Sequence, residues 1–146
     1  MSTQTFESLK LENQLCFPLY AASREIIKLY RPLLEKIDLT YTQYIVMMVF
    51  WQEKKINVKD LGKKLFLDSG TLTPVLKSLE NKGYVLRSRL LEDERVVMVE
   101  ITEKGESLKE LAVKIPEFMV SCVPLSIDEA KQLHFLLNKI LISLEK

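Results

Sequence analysis

The stretch NVKDLGKKLFLDSGTLTPVLKSLENKGYVLRSRLLEDERVVMVEIT, residues 57–102, changes its hydrophobic period part-way along. Asn57 is a residue type that caps helices, and Val58, Leu61 and Leu65 behind it share one helical face. After Phe66-Leu67, Asp68 or Ser69 opens a second helix that buries Leu72, Val75, Leu76 and Leu79. Gly83 follows at the place where a helix end favours a left-handed residue. From there the period drops to two. Leu86, Ser88 and Leu90 alternate with Arg87 and Arg89, and Val97, Val99 and Ile101 alternate with Met98 and Glu100. With the polar tip Glu92-Asp93-Glu94-Arg95 between them, these runs predict a two-stranded hairpin.

A short helix, a tight turn, a second helix and a hairpin are the parts of a winged helix-turn-helix. The second helix of that arrangement enters the DNA major groove and the hairpin lies along the backbone. The charges agree. From Lys54 to Arg89 there are nine basic and three acidic side chains, a local excess of six. The whole chain, with 21 basic and 20 acidic side chains, is only +1. A local basic field of this kind supplies salt-dependent phosphate affinity. Ser69, Thr71, Thr73 and Lys77 fall on the solvent face of the second helix and suit phosphates and base edges. Taken singly, each is equally well read as part of a cap or a solvated polar face. Arg87 and Arg89 add cations on the first wing strand. Arg95 at the tip suits a narrow minor groove; a salt bridge to Asp93 or Glu92 is the plainer reading, and the two coexist.

Outward from this centre, Leu11, Leu15, Leu19, Ala22, Ile26, Leu29 and Leu33 recur at helical spacing over more than six turns. Pro18 inside that stripe is expected to bend it. So long a stripe in a small protein needs a partner surface, and a second subunit is the expected one. Thr40-x-x-Gln43 has the form of a capping box and opens a buried helix through Glu53. Thr102 caps a helix with Leu108, Leu111, Ala112 and Ile115 on one face, which runs into Pro116. Ser126-x-x-Glu129 is another capping box, and starts a last helix through Leu133, Leu137, Ile140, Leu141 and Leu144. The expected fold is mainly α with a small β hairpin, one domain over residues 1–146. Dimerisation helices at about 9–36 and 103–146 flank a winged helix-turn-helix lobe at about 40–102.

Composition narrows the class. With 146 residues, 47% hydrophobic and 28% charged, and only four Gly and five Pro, the chain reads as folded rather than disordered or repetitive. Its first fourteen residues, MSTQTFESLKLENQ, are polar and mixed in charge, without a signal-peptide layout. The longest apolar run, Tyr44 to Trp51, has eight residues, where a bilayer span needs roughly 20. A cytoplasmic protein with no membrane partner is expected. Two cysteines 106 positions apart make neither a disulfide framework nor a zinc ribbon, and in a reducing cytosol both begin as thiols. A single histidine, His134, makes no metal site. There is no P-loop, nucleophile elbow or paired-carboxylate signature, so no metal, cofactor or catalytic residue is expected and the chain does not read as an enzyme.

Leu67-Asp68-Ser69-Gly70-Thr71-Leu72-Thr73-Pro74, followed by Glu92-Asp93-Glu94-Arg95, resembles the MarR family of dimeric winged-helix regulators. Leu11-Glu12-Asn13-Gln14-Leu15-Cys16-Phe17 and Leu19-Tyr20-Ala21-Ala22-Ser23-Arg24-Glu25 are similar to its OhrR branch, which senses organic hydroperoxides. The likeness extends from about residue 9 to about residue 115. It implies a homodimeric repressor that holds a pseudo-palindromic, double-stranded operator and releases it when an organic hydroperoxide oxidises Cys16. In that branch the reactive cysteine is held by tyrosine hydroxyls contributed across the dimer, and the matching residues are Tyr20, Tyr30 and Tyr41. Some members carry a second cysteine near the C-terminus that resolves the sulfenic acid as an intersubunit disulfide, and others rely on small thiols. The likeness gives Cys122 the resolving role.

The residues alone leave more open. A lone cysteine on an amphipathic helix is more often an inert buried hydrophobe, yet Cys16 sits one position beyond Leu15, at the edge of the stripe. Tyr30 lies about 21 Å along a straight helix from Cys16, so a contact between them needs a partner helix. Cys122 also reads as a buried bystander. Two other functions compete: a repressor governed by a small aromatic ligand between dimer helices and winged lobe, and a thiol peroxidase. Catalytic turnover of peroxide separates the last from the others.

Overall fold

A computed structural model describes residues 6–145. Residues 1–5, which begin both the polar N-terminal stretch and the expected 1–146 domain, lie outside the described residues, as does Lys146. The chain divides into two compact units, Met1–Ile115 and Pro116–Lys146.

In the first unit a short 3-10 turn, Leu11–Asn13, precedes α1 (Cys16–Glu35), α2 (Tyr41–Glu53), β1 (Lys55–Asn57), α3 (Val58–Leu65), α4 (Ser69–Asn81), β2 (Val85–Arg89), β3 (Val97–Ile101) and α5 (Glu103–Ala112). The caps read from sequence are made. Thr40 and Gln43 exchange side-chain and backbone hydrogen bonds in a full capping box ahead of α2. Asn57 accepts from the Asp60 amide, Asp68 from the Thr71 amide and Thr102 from the Gly105 amide. Gly83 ends the α4 turn at φ +83°.

The core gathers around α2. Val46, Met47 and Phe50 are buried from α2, Leu61 from α3, Leu72, Leu76 and Leu79 from α4, and Val85 and Val99 from the wing. Each large side chain withdrawn from water in this way stabilises the fold by about 1.5–3 kcal/mol before entropy is counted. The α3–α4 turn packs closely: a Cβ on Gly62 would stand 2.7 Å from the Leu67 carbonyl oxygen.

Several expectations are corrected. The hairpin is part of a three-stranded antiparallel sheet of order β1-β3-β2, in which Ile56 pairs with Val99 and Ser88 with Met98. Three residues are too few to display a period, so β1 escapes a pattern reading. The first helix begins at Cys16, and Pro18 stands in its first turn, where a missing amide hydrogen costs nothing because that amide has no helical acceptor. The proline inside α1 is Pro32. On the wing, Val85 is buried and Leu86 exposed, so the inward face starts one residue earlier than the leucines suggest. Leu111 is 65% exposed, off the buried Leu108–Ala112 edge of α5.

The second unit holds most of α6 (Ile115–Cys122) and all of α7 (Ile127–Leu144). Pro116 sits in the first turn of α6, and Cys122 closes that helix. Ser126 and Glu129 make the expected capping box before α7. No residue of α7 is buried, and Leu133, Leu136, Ile140 and Leu144 are exposed. Among the described residues, no helix is long and apolar enough to cross a membrane.

Candidate nucleic-acid interface and redox centre

Helix α4 is the second helix of the helix-turn-helix and starts with its cap well formed. Asp68 Oδ1 accepts from the Thr71 amide at 2.7 Å, and that bond, first among several, holds the Asp68 carboxyl below its ordinary range. Ser69, Thr71, Thr73 and Lys77 are all exposed. Thr73 Oγ1 donates back to the Ser69 carbonyl at 2.7 Å, which turns its methyl and hydroxyl along the helix. Ser69, Thr73 and Lys77, four residues apart, follow one exposed stripe of α4, whereas Thr71, also exposed, lies round the helix from them in the first turn.

The three wing arginines differ in their surroundings. Arg95 at the tip grips the Asp93 carboxylate through Nε at 3.1 Å and Nη2 at 3.3 Å, and its amide donates to the same group. These bonds keep the Asp93 carboxyl low, while the Arg95 side chain stays 91% exposed. Arg89 Nη1 donates across the hairpin to the Glu94 carbonyl at 2.7 Å. Arg87 turns the other way. Its amide donates to Glu80 Oε2 at 2.8 Å and its guanidinium to Glu80 Oε1 at 3.2 Å, so it ties the wing base to α4. The backbone bond and then the guanidinium lower the Glu80 carboxyl.

Cys16 is the first residue of α1 and is exposed; Cys122, at the end of α6, is partly exposed, and both are free thiols. Cys16 stands in the first turn of α1, where the backbone amides have no helical acceptor. Tyr20, one turn on, is 58% exposed. Its hydroxyl accepts from Arg24 Nη1 at 3.1 Å, and the guanidinium lies 5.5 Å from the ring centroid.

Tyr30 and Tyr41 do come together within one protomer, at 4.9 Å between ring centroids. Tyr44 makes a third member of the cluster and leans edge-on to Trp51 at 6.4 Å. Burial, above all, pushes the pKa of all three phenols up and so suppresses their ionisation, with mutual repulsion adding at Tyr30 and Tyr44. Sequence reading missed Tyr44, although it stands three residues after Tyr41 and so on the same helix face. Tyr20 stands apart from this cluster, about 15 Å along α1 from Tyr30. Beside the cluster, a cavity of about 400 Å³ is lined by Ile27, Arg31, Leu34, Leu39 and Tyr41, among others. Among the described residues no group of His, Cys, Asp and Glu could hold a metal ion.

Known proteins share this architecture. The pattern that defines the SarA/Rot transcriptional regulators matches residues 28–111. An organic hydroperoxide resistance transcriptional regulator of Bacillus subtilis is 47% identical over 97% of this chain and 96% of its own. The chain belongs to the MarR family. Within it, the SarZ/OhrR-like branch is the one it matches: the HTH-type regulator SarZ of Staphylococcus saprophyticus is 49% identical over 82% of each chain. Among solved structures, reduced AbfR bound to DNA superposes with a TM-score of 0.80 at 33% identity over 94% of each chain. Disulfide-formed AbfR gives 0.65 at the same identity, over 97% of this chain and 99% of that one; AbfR is a protein of Staphylococcus epidermidis. This MarR-family chain is thus a transcription factor of a redox-sensing repressor branch, with two cysteines available for oxidation.

Proposed function

We propose that this MarR-family chain is a homodimeric repressor that holds operator DNA with α4 and the wing and lets it go when an organic hydroperoxide oxidises Cys16. The observation that carries the reading is the pairing of Tyr30 with Tyr41 in a chain whose exposed Cys16 heads α1. Two phenols side by side offer a thiolate two hydroxyl donors at once. Helix length forbids Tyr30 from reaching its own Cys16, so a partner protomer's tyrosines do so, and Tyr20 with Arg24 flanks the sulfur from its own helix. The exposed apolar side chains of Leu15, just before α1, of Leu19, Ile26 and Leu29 on α1, and on α7 support the dimer that this requires.

The chemistry balances without a cofactor. The Cys16 thiolate attacks a peroxide oxygen; the S–O bond forms, the O–O bond breaks, and the alkoxide takes a proton and leaves as an alcohol. The resulting sulfenic acid is attacked by the Cys122 thiolate of the partner subunit, forming S–S and releasing the hydroxyl as water with one proton. Bridging requires the two Cα atoms to come within about 7 Å. The better match to reduced, DNA-bound AbfR than to its disulfide form supports a binding-competent arrangement in the reduced chain.

On DNA, Ser69, Thr71, Thr73 and Lys77 enter the major groove of a pseudo-palindromic site, with Arg89 and Arg95 on the wing and Arg87 bracing its base against Glu80. The test is operator binding by wild type and Cys16→Ser, each with and without an organic hydroperoxide. Wild type is expected to release DNA and Cys16→Ser to keep it. Release by Cys16→Ser would end the redox reading. The cavity beside Tyr41 favours one second reading, control by a small aromatic acid whose carboxylate meets Arg31. An aromatic carboxylate that releases DNA from Cys16→Ser would establish it.

A further inference from the structure

The sensing tyrosine Tyr41 and the recognition helix are joined by one buried amide. Gln43 lies two residues after Tyr41 in the first turn of α2 and is 6% exposed, the one buried polar side chain among the described residues. Its Oε1 accepts from the Thr40 amide at 3.0 Å and from Lys82 Nζ at 3.2 Å, while its Nε2 donates to Ser78 Oγ at 2.9 Å. Thr40 and Gln43 fix the start of α2. Ser78 is in the last third of α4 and Lys82 is its C-terminal cap. Lys82 Nζ also donates to the Asp38 carbonyl at 2.6 Å, in the turn after α1. Gln43 therefore ties the first turn of α2 to the end of α4, and Lys82 extends the tie to the turn after α1.

The burial of this group makes the tie selective. A primary amide withdrawn from water must keep its hydrogen bonds, because an unpaired buried donor loses its solvation with no return. If the first turn of α2 shifts, Gln43 either carries Ser78 with it or leaves its Nε2 unsatisfied. Apolar burial between α2 and α4 has no direction of its own, whereas the Gln43–Ser78 hydrogen bond has one. Ser78 and Ser69 lie on the same helix, on either side of Pro74, so a tilt imposed near its C-terminal end is carried toward the DNA-facing N-terminal turn.

We propose that Gln43, through Ser78, is the positioning residue that passes the oxidation state of the tyrosine–cysteine centre to the recognition helix. This rests on the redox reading above. Oxidation that withdraws the partner's sulfur from Tyr41 displaces the first turn of α2, and the Gln43–Ser78 bond converts that displacement into a change in the presentation of α4.

Ser78→Ala cuts the bond and leaves the capping box, both tyrosines and every DNA-facing residue in place; Ser78→Thr restores the hydroxyl. For each, operator affinity is measured by fluorescence anisotropy before and after cumene hydroperoxide, with Cys16 sulfenic acid and disulfide quantified by mass spectrometry. Ser78→Ala is expected to bind DNA in the reduced state within threefold of wild type and to oxidise at the wild-type rate. Its peroxide-induced loss of affinity is expected to shrink at least tenfold, and Ser78→Thr to recover it. A fully oxidised Ser78→Ala that loses affinity as much as wild type overturns the proposal and leaves the redox reading standing. A wild type that keeps its operator although Cys16 is oxidised overturns both. Failure of Ser78→Thr to rescue also overturns the proposal, since a role confined to packing would then account for the defect.

Discussion

Tyr30 and Tyr41 lie with ring centroids 4.9 Å apart and ring planes inclined at 56°, one from the second half of α1 and the other the first residue of α2. The pair fixes where two phenol hydroxyls can be offered together. Their separation by a turn of chain, residues 36–40, means that neither helix alone specifies it.

Removing either hydroxyl should slow the sensing chemistry. A hydrogen bond to a charged acceptor contributes about 1.5–3 kcal/mol. Tyr30→Phe and Tyr41→Phe are therefore each expected to reduce the rate of Cys16 sulfenic acid formation by roughly ten- to a hundredfold. Dimedone trapping followed by mass spectrometry measures it. Wild-type rates in both variants would place the thiolate's donors elsewhere.

The same cluster sets an alkaline limit. Tyr30, Tyr41 and Tyr44 titrate above the ordinary phenol value of 10.0, chiefly because they are buried. A raised folded-state value means that the unfolded chain gives up its protons first. The cluster's contribution to stability is therefore complete below about pH 10 and is lost as pH rises through the folded values. Absorbance at 295 nm should show a late-ionising group of phenols, and Tyr44→Phe should remove part of it. A single transition at the ordinary value would contradict this.

At the DNA surface, Arg95→Ala is expected to weaken operator binding by about 1–3 kcal/mol if the guanidinium reaches a base edge. Lys77→Ala is expected to weaken it less selectively and to reduce the slope of log affinity against log salt by about one ion. Anisotropy titrations from low to moderate salt read both. Affinities unchanged in both folded variants would mean that the reading surface lies elsewhere.

One glycine tests the joint between wing and α5. A Cβ on Gly105 would overlap the Tyr84 carbonyl oxygen and come within 2.8 Å of Ile101 Cγ1, whereas at Gly70 it would meet only Asp68 Oδ1 at 3.4 Å. Gly105→Ala should therefore destabilise the fold by about 1–3 kcal/mol, the cost of overpacking. Gly70→Ala should leave stability nearly unchanged. Urea denaturation of the two proteins decides between equal and unequal effects.

Cys122→Ser should still trap as a sulfenic acid at Cys16 but yield no covalent dimer on a non-reducing gel. A crosslink that persists in this variant would exclude Cys122 as the resolving thiol.

What could be read before the structure follows from where physical signals are local. Asn57, Asp68, Thr102 and Ser126 each announce a helix start because a cap is made by neighbours in sequence. Gly83 announces an end for the same reason. β1 left no trace, since a three-residue strand exists only through its pairing with β3, over 40 positions away. Pro18 and Pro116 were misleading because a proline in a first turn and a proline in mid-helix look alike until the helix start is known. At the site, Cys16, Tyr20, Tyr30 and Tyr41 stood out by resemblance. Tyr44 was hidden by the apolar run around it. Gln43 was legible as a cap partner, but its bond to Ser78, 35 residues on, has no local mark.

Of the twenty residues in α1, only Leu34 is buried. A helix so little supported by its own protomer has its working shape only when a second chain completes it. On the proposed reading, in which a partner's phenols flank the thiol, sensing is then second order in protomer concentration, as is occupancy of a two-half-site operator. Dilution would on that reading disarm detector and effector together, and a free subunit would be as poor a consumer of oxidant as it is a binder of DNA.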